Sequence, residues 1–378
     1  MQLKEVITKQ DNRDFLGMVA HIYANDRQYV RPPDKQITDR FDSNENILLK
    51  TGEAKRWIVK KEGRVVGRIA AFYHHAIPDK PFVGIGFFEC INSQEVANLL
   101  FNNAIDWLGT HSFSSVMAPI NIGDRDSFWG LLIKTQSTPT FNENYNPIYY
   151  ASLFENYGFK QVIQQSTWQI NFDRFAYERF KQISNRVMGR MNVELKCLDK
   201  DNWKSFAQDF VTIYNQSWAQ HPDFRPMTIE NLKPKMKSML PIAPQGLNIF
   251  AYVNQQPAGF FLNILDINPT LAKLNGRFAL WDKLMLLWKV RKLSKLKGIV
   301  FGIIPTYWQS GLEIALIVKV YEALQTKEYA HIKSVELAWI GDFNPKMIKL
   351  IKQLGATESK LHATYEIAIT QPCSSNTN

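Results

Sequence analysis

The chain has 378 residues, of which 45% are hydrophobic, 13% aromatic and 21% charged, with a formal net charge of +10. That length exceeds one ordinary core and predicts two domains, while the composition excludes a disordered, collagenous or coiled-coil chain. The positive excess favours an anionic ligand or surface. Cys90, Cys197 and Cys373 form no close pair and no metal-ligand spacing, which argues against a disulfide scaffold and a zinc module and fits a reducing cytoplasm. No segment reaches the roughly 18 consecutive apolar residues of a membrane span, and residues 1–5 open in mixed charge, unlike a secretory signal.

In chain order, residues 3–8 predict a strand and 13–24 a helix. Residues 57–72 read as a hairpin, with a polar turn at 61–64 and a second strand entered through Gly67. A strand at 86–91, a helix at 94–108 and a strand at 115–120 follow. Asn146-Pro147 then opens a helix that stops at Gly158, with Asn as N-cap, Pro at the first helical position and Gly beyond the last turn. An alternating strand carrying Trp168 comes next. Residues 173–192 are polar, basic and helical, and they lack the Gly/Pro/Ser composition of a loose linker, so the two halves are expected to form a fixed pair.

The second half predicts a strand at 193–198, a helix at 201–218 and a helix at 228–240 bent or shortened at Pro234. A hairpin at 247–265 precedes an irregular, helical stretch at 269–297. Then come a buried strand at 298–304, a helix at 313–324, a strand at 334–340, a helix opened by Asn344-Pro345 and ended at Gly355, and a strand at 356–369.

Two matches tie the halves together. The hairpin W-I-V-K-K-E-G-R-V-V-G-R-I-A-A-F at 57–72 returns as I-F-A-Y-V-N-Q-Q-P-A-G-F-F-L-N-I at 249–264, with Gly67 and Gly259 in the same place. Trp168 lies ten residues beyond Gly158, and Tyr365 ten beyond Gly355. The same two features in the same order predict a duplicated architecture: a domain at 1–172, a connecting segment at 173–192, a domain at 193–370 and a loose polar tail at 371–378.

The element order resembles the GCN5-related N-acetyltransferase (GNAT) fold, a mixed-sheet α/β domain. The segment G-I-V-F-G-I-I-P-T-Y-W-Q-S-G-L-E-I-A-L-I at 298–317 resembles that superfamily's acyl-CoA segment: a strand, Pro-x-Tyr, a Gln/Arg-x-x-Gly-x-Gly/Ala loop and a helix. Asn344, Met347, Leu350 and Gly355 fit its Asn-x-x-Ala-x-x-Leu-Tyr-x-x-x-Gly ending. The whole chain, including Tyr-Asn-Pro-Ile-Tyr-Tyr at 145–150, is similar to bacterial tandem acetyltransferase-like proteins of unassigned substrate. The resemblance implies two GNAT-like domains in tandem and acyl-CoA-dependent N-acyl transfer. The cofactor would be acetyl-CoA or another acyl-CoA, with a small-molecule or peptide amine as acceptor. It places cofactor contacts at Ile304, Gln309, Ser310, Gly311, Leu312, Glu313, Ala315 and Asn344.

The physics of that loop agrees. A strand that ends in a loop opening a helix presents unpaired N–H groups and a positive dipole end, which suits a pyrophosphate. Gly311 permits close approach, and Gln309 and Ser310 add donors. The chain departs from the pattern at three places: Trp308 replaces the usual Gln or Arg, Glu313 the last small residue, and Ile351 the general-acid Tyr. In the first half the loop at 92–95 has no glycine, so that half reads as a degenerate copy and the cofactor is expected in the second. Two other functions stay open: a non-catalytic binding or scaffold protein on this fold, and a relative that uses aminoacyl-tRNA.

Further candidates carry two readings each. Glu89, in an apolar strand, is a general base with a raised pKa or a carboxylate satisfied by its neighbours. Asn121 and Asp124, in a polar cluster at the end of a strand, face a ligand or cap a helix. Tyr149 and Tyr150, with Asn146, hydrogen-bond a substrate or pack the core. His74 and His75 end a hairpin strand, facing a cleft or solvent; Cys90 has no activating neighbour and reads as a small buried residue. Residues 273–297 hold eight basic residues and one acidic residue, and Trp281, Leu284, Met285 and Trp288 share a helical face. One reading is a flap over the site with Trp281 and Trp288 turned inward. Another is an anionic membrane contact through 281–297, and a third is an amphipathic brace. Neither nucleic acid nor a metal is expected as a partner, since no phosphate loop, HExxH, GxSxG, GxGxxG or recognition-helix pattern occurs.

Overall fold

The computed structural model describes residues 1–77, 80–123, 125, 127–220 and 224–369. The chain opens with β1 (Gln2–Glu5) and α1 (Lys9–Gly17). Thr8 caps α1 reciprocally: its hydroxyl accepts from the Asp11 N–H and the Asp11 carboxylate accepts from its own N–H. Next come α2 (Val19–Ile22), α3 (Asp34–Thr38), the hairpin β2 (Gly52–Lys61) and β3 (Arg64–His74), and β4 (Phe82–Cys90). The first half closes with α4 (Gln94–Gly109), β5 (Ser115–Ala118), β6 (Leu131–Thr135), α5 (Tyr150–Tyr157) and β7 (Lys160–Asn171).

The connection is α6 (Tyr177–Arg190). The second half runs β8 (Val193–Cys197), α7 (Phe206–Trp218), α8 (Ile229–Met239), β9 (Ile249–Val253), β10 (Gln256–Leu265), α9 (Asn268–Leu271) and α10 (Leu280–Lys289). It ends with β11 (Lys295–Ile303), α11 (Leu312–Leu324), β12 (Ser334–Gly341), α12 (Pro345–Gln353) and β13 (Thr357–Ala368). The mixed α/β architecture read from the sequence is the observed one. Three local differences stand out: α3 and β6 carry no clear sequence signal, and Asn146 does not cap α5. Its side chain instead accepts from the Leu132 N–H at 2.7 Å and donates to the Leu132 carbonyl at 3.1 Å, tying it to β6. Asn344 does cap α12, accepting from the Met347 N–H at 3.1 Å.

The strands form one sheet in the order β1-β2-β3-β4-β5-β13-β7-β12-β11-β10-β9-β8, with β6 also paired to β13. The last strand of each half lies against the other half. β13 pairs with β5, and its Ala363 and Tyr365 join the first half's core among Phe101, Leu153 and Phe154. β7 pairs with β12, and its Trp168 and Ile170 join the second half's core. Both strands are entered through a left-handed glycine just past a helix, Gly158 at φ 113° and Gly355 at φ 83°. The core therefore does not divide where the chain does.

Buried charge locks the exchange. Lys360 of β13 is 1% exposed. Its ammonium pairs with Glu143 at 3.1 Å and with Glu336 of β12, which also binds Lys295 at 2.6 Å. On each side the parallel neighbours separate after a short contact. β4 meets β5 at Gly84 and Met117; β11 follows β12 from Lys295 to Gly298 and then diverges. Two V-shaped gaps result, one per half.

Candidate active site

The first gap is polar. Cys90 stands opposite the hairpin glycine Gly67, and the next pair is Arg68 with Glu89. After that Ala70 pairs with Gly86, so Phe87 and Phe88 together oppose Ile69. This is a β-bulge, with Phe87 at φ 51°. A bulge interrupts the ladder and re-aims the side chains beside it.

Glu89 is 8% exposed and accepts three hydrogen bonds: Arg68 Nη2 at 3.3 Å, Tyr23 Oη at 2.9 Å and Tyr150 Oη at 2.8 Å. Burial raises its pKa above the ordinary carboxylate value, while Arg68 and the two phenols oppose the rise. Burial, with Glu89 beside them, pushes the Tyr23 and Tyr150 phenols well up, so both stay protonated donors. Arg68 is positioned from a second direction. It donates to the Phe15 carbonyl at 2.7 Å, and its guanidinium lies 4.8 Å from the centre of the Phe15 ring. Tyr23 stacks on Tyr29 with ring centres 3.6 Å apart.

Glu89 and Arg68 line a cavity of about 80 Å³ with Tyr29, Gln36, Phe87, Asn121, Asn144 and Tyr150. The second half contributes Asn268 and Leu271 of α9 to the same wall. The cavity is large enough for a few waters or a small acyl group. A desolvated carboxylate of raised pKa in such a space can take a proton from an amine.

The expected site residues divide into three groups. Glu89, Asn121 and Tyr150 share the cavity. Tyr149 sits behind it, donating to the Cys90 carbonyl at 2.7 Å, while the Cys90 N–H is 2.9 Å from Tyr150 Oη. Cys90 is fully buried, and burial pushes its thiol up to about 12, so it is not a thiolate nucleophile. Asp124 lies outside the described residues.

The second group begins α11. Ile304 pairs its N–H with the Ala258 carbonyl, Gln309 takes φ 63°, the Ser310 hydroxyl accepts from the Leu312 N–H at 3.2 Å, and Leu312 and Ala315 are fully buried. Burial raises the Glu313 carboxyl. Gly311 has φ 88°, and a Cβ there would come within 2.8 Å of Val187 on α6. Asn344 is the cap described above.

The third group is Trp281 and Trp288. An inward turn of these residues is not found: they are 79% and 65% exposed, because Leu286, Val290 and Leu293 supply the buried side of that segment. Arg68, Tyr23 and Tyr29 were not foreseen. Arg68 did have a signal, as the one charged residue of an otherwise apolar strand after Gly67; Tyr23, at the end of the helix expected at 13–24, and Tyr29, beyond it, had none.

No family profile matches the chain. Two bacterial proteins align over nearly its whole length. Protein YghO of Escherichia coli is 22% identical over 377 residues, spanning 96% of this chain and 94% of its own. A bacterial ceramide synthase of Caulobacter vibrioides is 23% identical over 395 residues, spanning 96% of each. Among solved structures, a tandem GNAT protein from the clavulanic acid biosynthesis pathway superposes with a TM-score of 0.58 at 11% identity, covering 98% of both chains. A GCN5-related N-acetyltransferase from Sphaerobacter thermophilus gives 0.52 at 10% identity, covering 97% of this chain and 96% of its own. The fold is that of a tandem GNAT protein.

Proposed function

We propose that this protein is an acyl-CoA-dependent N-acyltransferase whose chemistry takes place at Glu89, in the gap between β4 and β5. The observation that carries this reading is the buried carboxylate held by Arg68, Tyr23 and Tyr150 beside a β-bulge, at the mouth of a polar gap. Acyl-CoA would supply an electrophilic thioester carbonyl. As the amine nitrogen bonds to that carbonyl and the carbon–sulfur bond breaks, Glu89 accepts the proton that the amine loses, and the departing thiolate takes a proton from Glu89 or from water. Arg68 favours the ionised form, and the Tyr23 and Tyr150 hydroxyls both donate to Oε2, which leaves Oε1, beside Arg68, as the oxygen that can accept the proton. The interrupted ladder at Phe87 and Phe88 offers backbone N–H groups toward developing negative charge. The start of α4, at Ser93 and Gln94, offers helix N–H groups for a diphosphate.

The sequence directs the diphosphate to residues 304–315 instead, and that loop remains the rival location. Gly311 in the left-handed region and the helix start support it; the close approach of Val187 stands against it. The two loops carry the same handicap, a glutamate at the second helical position, Glu95 and Glu313. The acceptor is proposed to be an amine, and the likeness to a protein named ceramide synthase makes a long-chain amine the first to try.

The test is thiol release from a panel of acyl-CoA thioesters of increasing chain length, with short and long-chain amines as acceptors. The reading expects amine-dependent thiol release that Glu89→Gln removes. No release with any pair, alongside unimpaired folding, would leave a binding protein on this fold.

A further inference from the structure

Twelve large hydrophobic side chains are exposed among the described residues, and five of them fall on one ten-residue helix, α10: Leu280, Trp281, Leu284, Leu287 and Trp288. Scattered exposed apolar residues are ordinary, but a contiguous group marks a contact surface. At 100° per residue these five cover an arc of about 120° on the helix. Leu286, the buried residue of α10, lies on the opposite side. The helix thus has two apolar faces, one packed on the protein and one bare.

The charge around the bare face has one sign. Residues 273–292 carry Lys273, Arg277, Lys283, Lys289, Arg291 and Lys292 against a single acid, Asp282. Asp282 is already engaged, accepting from the Ala279 N–H at 2.7 Å. Lys292 lies over the Trp288 ring at 4.5 Å, so a cation and an aromatic edge meet at one end of the face. We propose that α10 docks the protein on the surface of an anionic phospholipid bilayer, with the five apolar side chains at the acyl boundary and the basic residues at the headgroups. Tryptophan favours that depth, and clustered Lys and Arg add attraction to anionic lipid. The charge also argues against a second copy of the chain, because a twofold contact through this face would bring two basic rims together.

The inference does not depend on the acyltransfer reading, although the two touch in space. α9, eight residues before α10, supplies Asn268 and Leu271 to the wall of the Glu89 cavity. Between them Gly276 packs on Arg31 and Asp34, next to the wall residues Tyr29 and Val30.

The test is co-sedimentation of the full chain with vesicles of phosphatidylcholine alone and with vesicles containing phosphatidylglycerol. Binding is expected to the anionic vesicles, falling with added salt. Trp281→Ala with Trp288→Ala should weaken it about tenfold or more, and so should Lys283→Glu with Arg291→Glu and Lys292→Glu. These side chains are exposed, and unchanged circular dichroism in each variant checks the fold. Three results would overturn the proposal: no binding to anionic vesicles, equal binding to neutral ones, or a concentration-dependent dimer that the tryptophan pair abolishes without lipid.

Discussion

Counting one pair on from the hairpin glycine, the first half sets Arg68 against Glu89 and the second sets Phe260 against Gly302. The hairpins are otherwise alike: Val59 faces Gly67 and Ala251 faces Gly259, each beside a register shift. At Gly302 a Cβ would come within 2.9 Å of the Trp218 ring, so no carboxylate fits there. The cavities differ in kind as well. In the first half the cavity is lined by amides, phenols and a buried ion pair. The cavity of the second half, about 30 Å³, is apolar instead, lined by residues such as Phe172, Phe175, Phe261, Phe301, Ile351 and Leu354. One copy gathers polar groups around its cavity and the other surrounds its cavity with core side chains. The comparison teaches that the better-looking cofactor loop and the better-looking chemistry lie in different copies.

The comparison presumes that neither copy stands alone, and the largest effect should come from testing that. Ending the chain at Leu354 removes β13 and with it the partner of β5 and the Tyr365 packing on Phe154. The expected outcome is loss of the cooperative fold of both halves, read by thermal melting. A truncated chain that melts cooperatively near the full-length temperature would show that the exchanged strand is dispensable.

The contrast between Glu89 and Gly302 is next. Glu89→Gln should lower the acylation rate by about 10²–10⁴. In the intact protein the rate should fall on acidification through a pKa above the ordinary carboxylate value, because only the ionised form accepts a proton. That acid limb should vanish in the variant. An unchanged rate and pH profile would remove Glu89 from the chemistry.

The lock between the copies can be broken at Lys360. Lys360→Met strands Glu143 and Glu336 without their shared cation, a loss of about 3–5 kcal/mol by the usual cost of breaking a buried pair. Denaturant titration reads it directly. The added change Glu336→Met should restore part of the loss.

A smaller effect is expected at His74, whose ring lies 2.8 Å from Arg225 of the second half and is fully buried. Burial, with Arg225 and His75, lowers its pKa to about 4. The folded protein therefore holds the neutral ring where an unfolded chain binds a proton. Stability should be full above pH 6.5 and decline as pH falls toward 4, by up to about 3 kcal/mol. His74→Asn should flatten that limb of the curve.

Much of this was legible in the sequence, and the gaps in legibility have physical causes. The repeat showed because hairpin turns and helix ends need particular residues, such as Gly67, Gly259, Gly158 and Gly355. Glu89 stood out as a charge in an apolar strand. Of its partners, Tyr150 and Arg68 left a trace in the sequence, but Tyr23, at the end of the helix expected at 13–24, gave no sign of reaching it across the fold. The strand exchange was invisible because β7 and β13 have the same alternating pattern, and pattern does not say which neighbour a strand takes. Asn146 read as a helix cap for the same reason that Asn344 is one; only the presence of β6 decides between them. Trp281 and Trp288 shared a helical face as expected, but periodicity marks a face without saying which way it points.

The central claim is that the first copy, not the second, receives the acyl thioester. It is tested most directly by calorimetric titration of CoA into two matched variants, Ser93→Asp and Ser310→Asp. Each serine oxygen accepts from a backbone N–H near a helix start, Val96 or Leu312, and aspartate can keep that bond while adding a negative charge. The account predicts that Ser93→Asp weakens CoA roughly tenfold or more while Ser310→Asp leaves it unchanged. Loss of binding in Ser310→Asp with Ser93→Asp unaffected would contradict it and return the cofactor to the loop at 304–315.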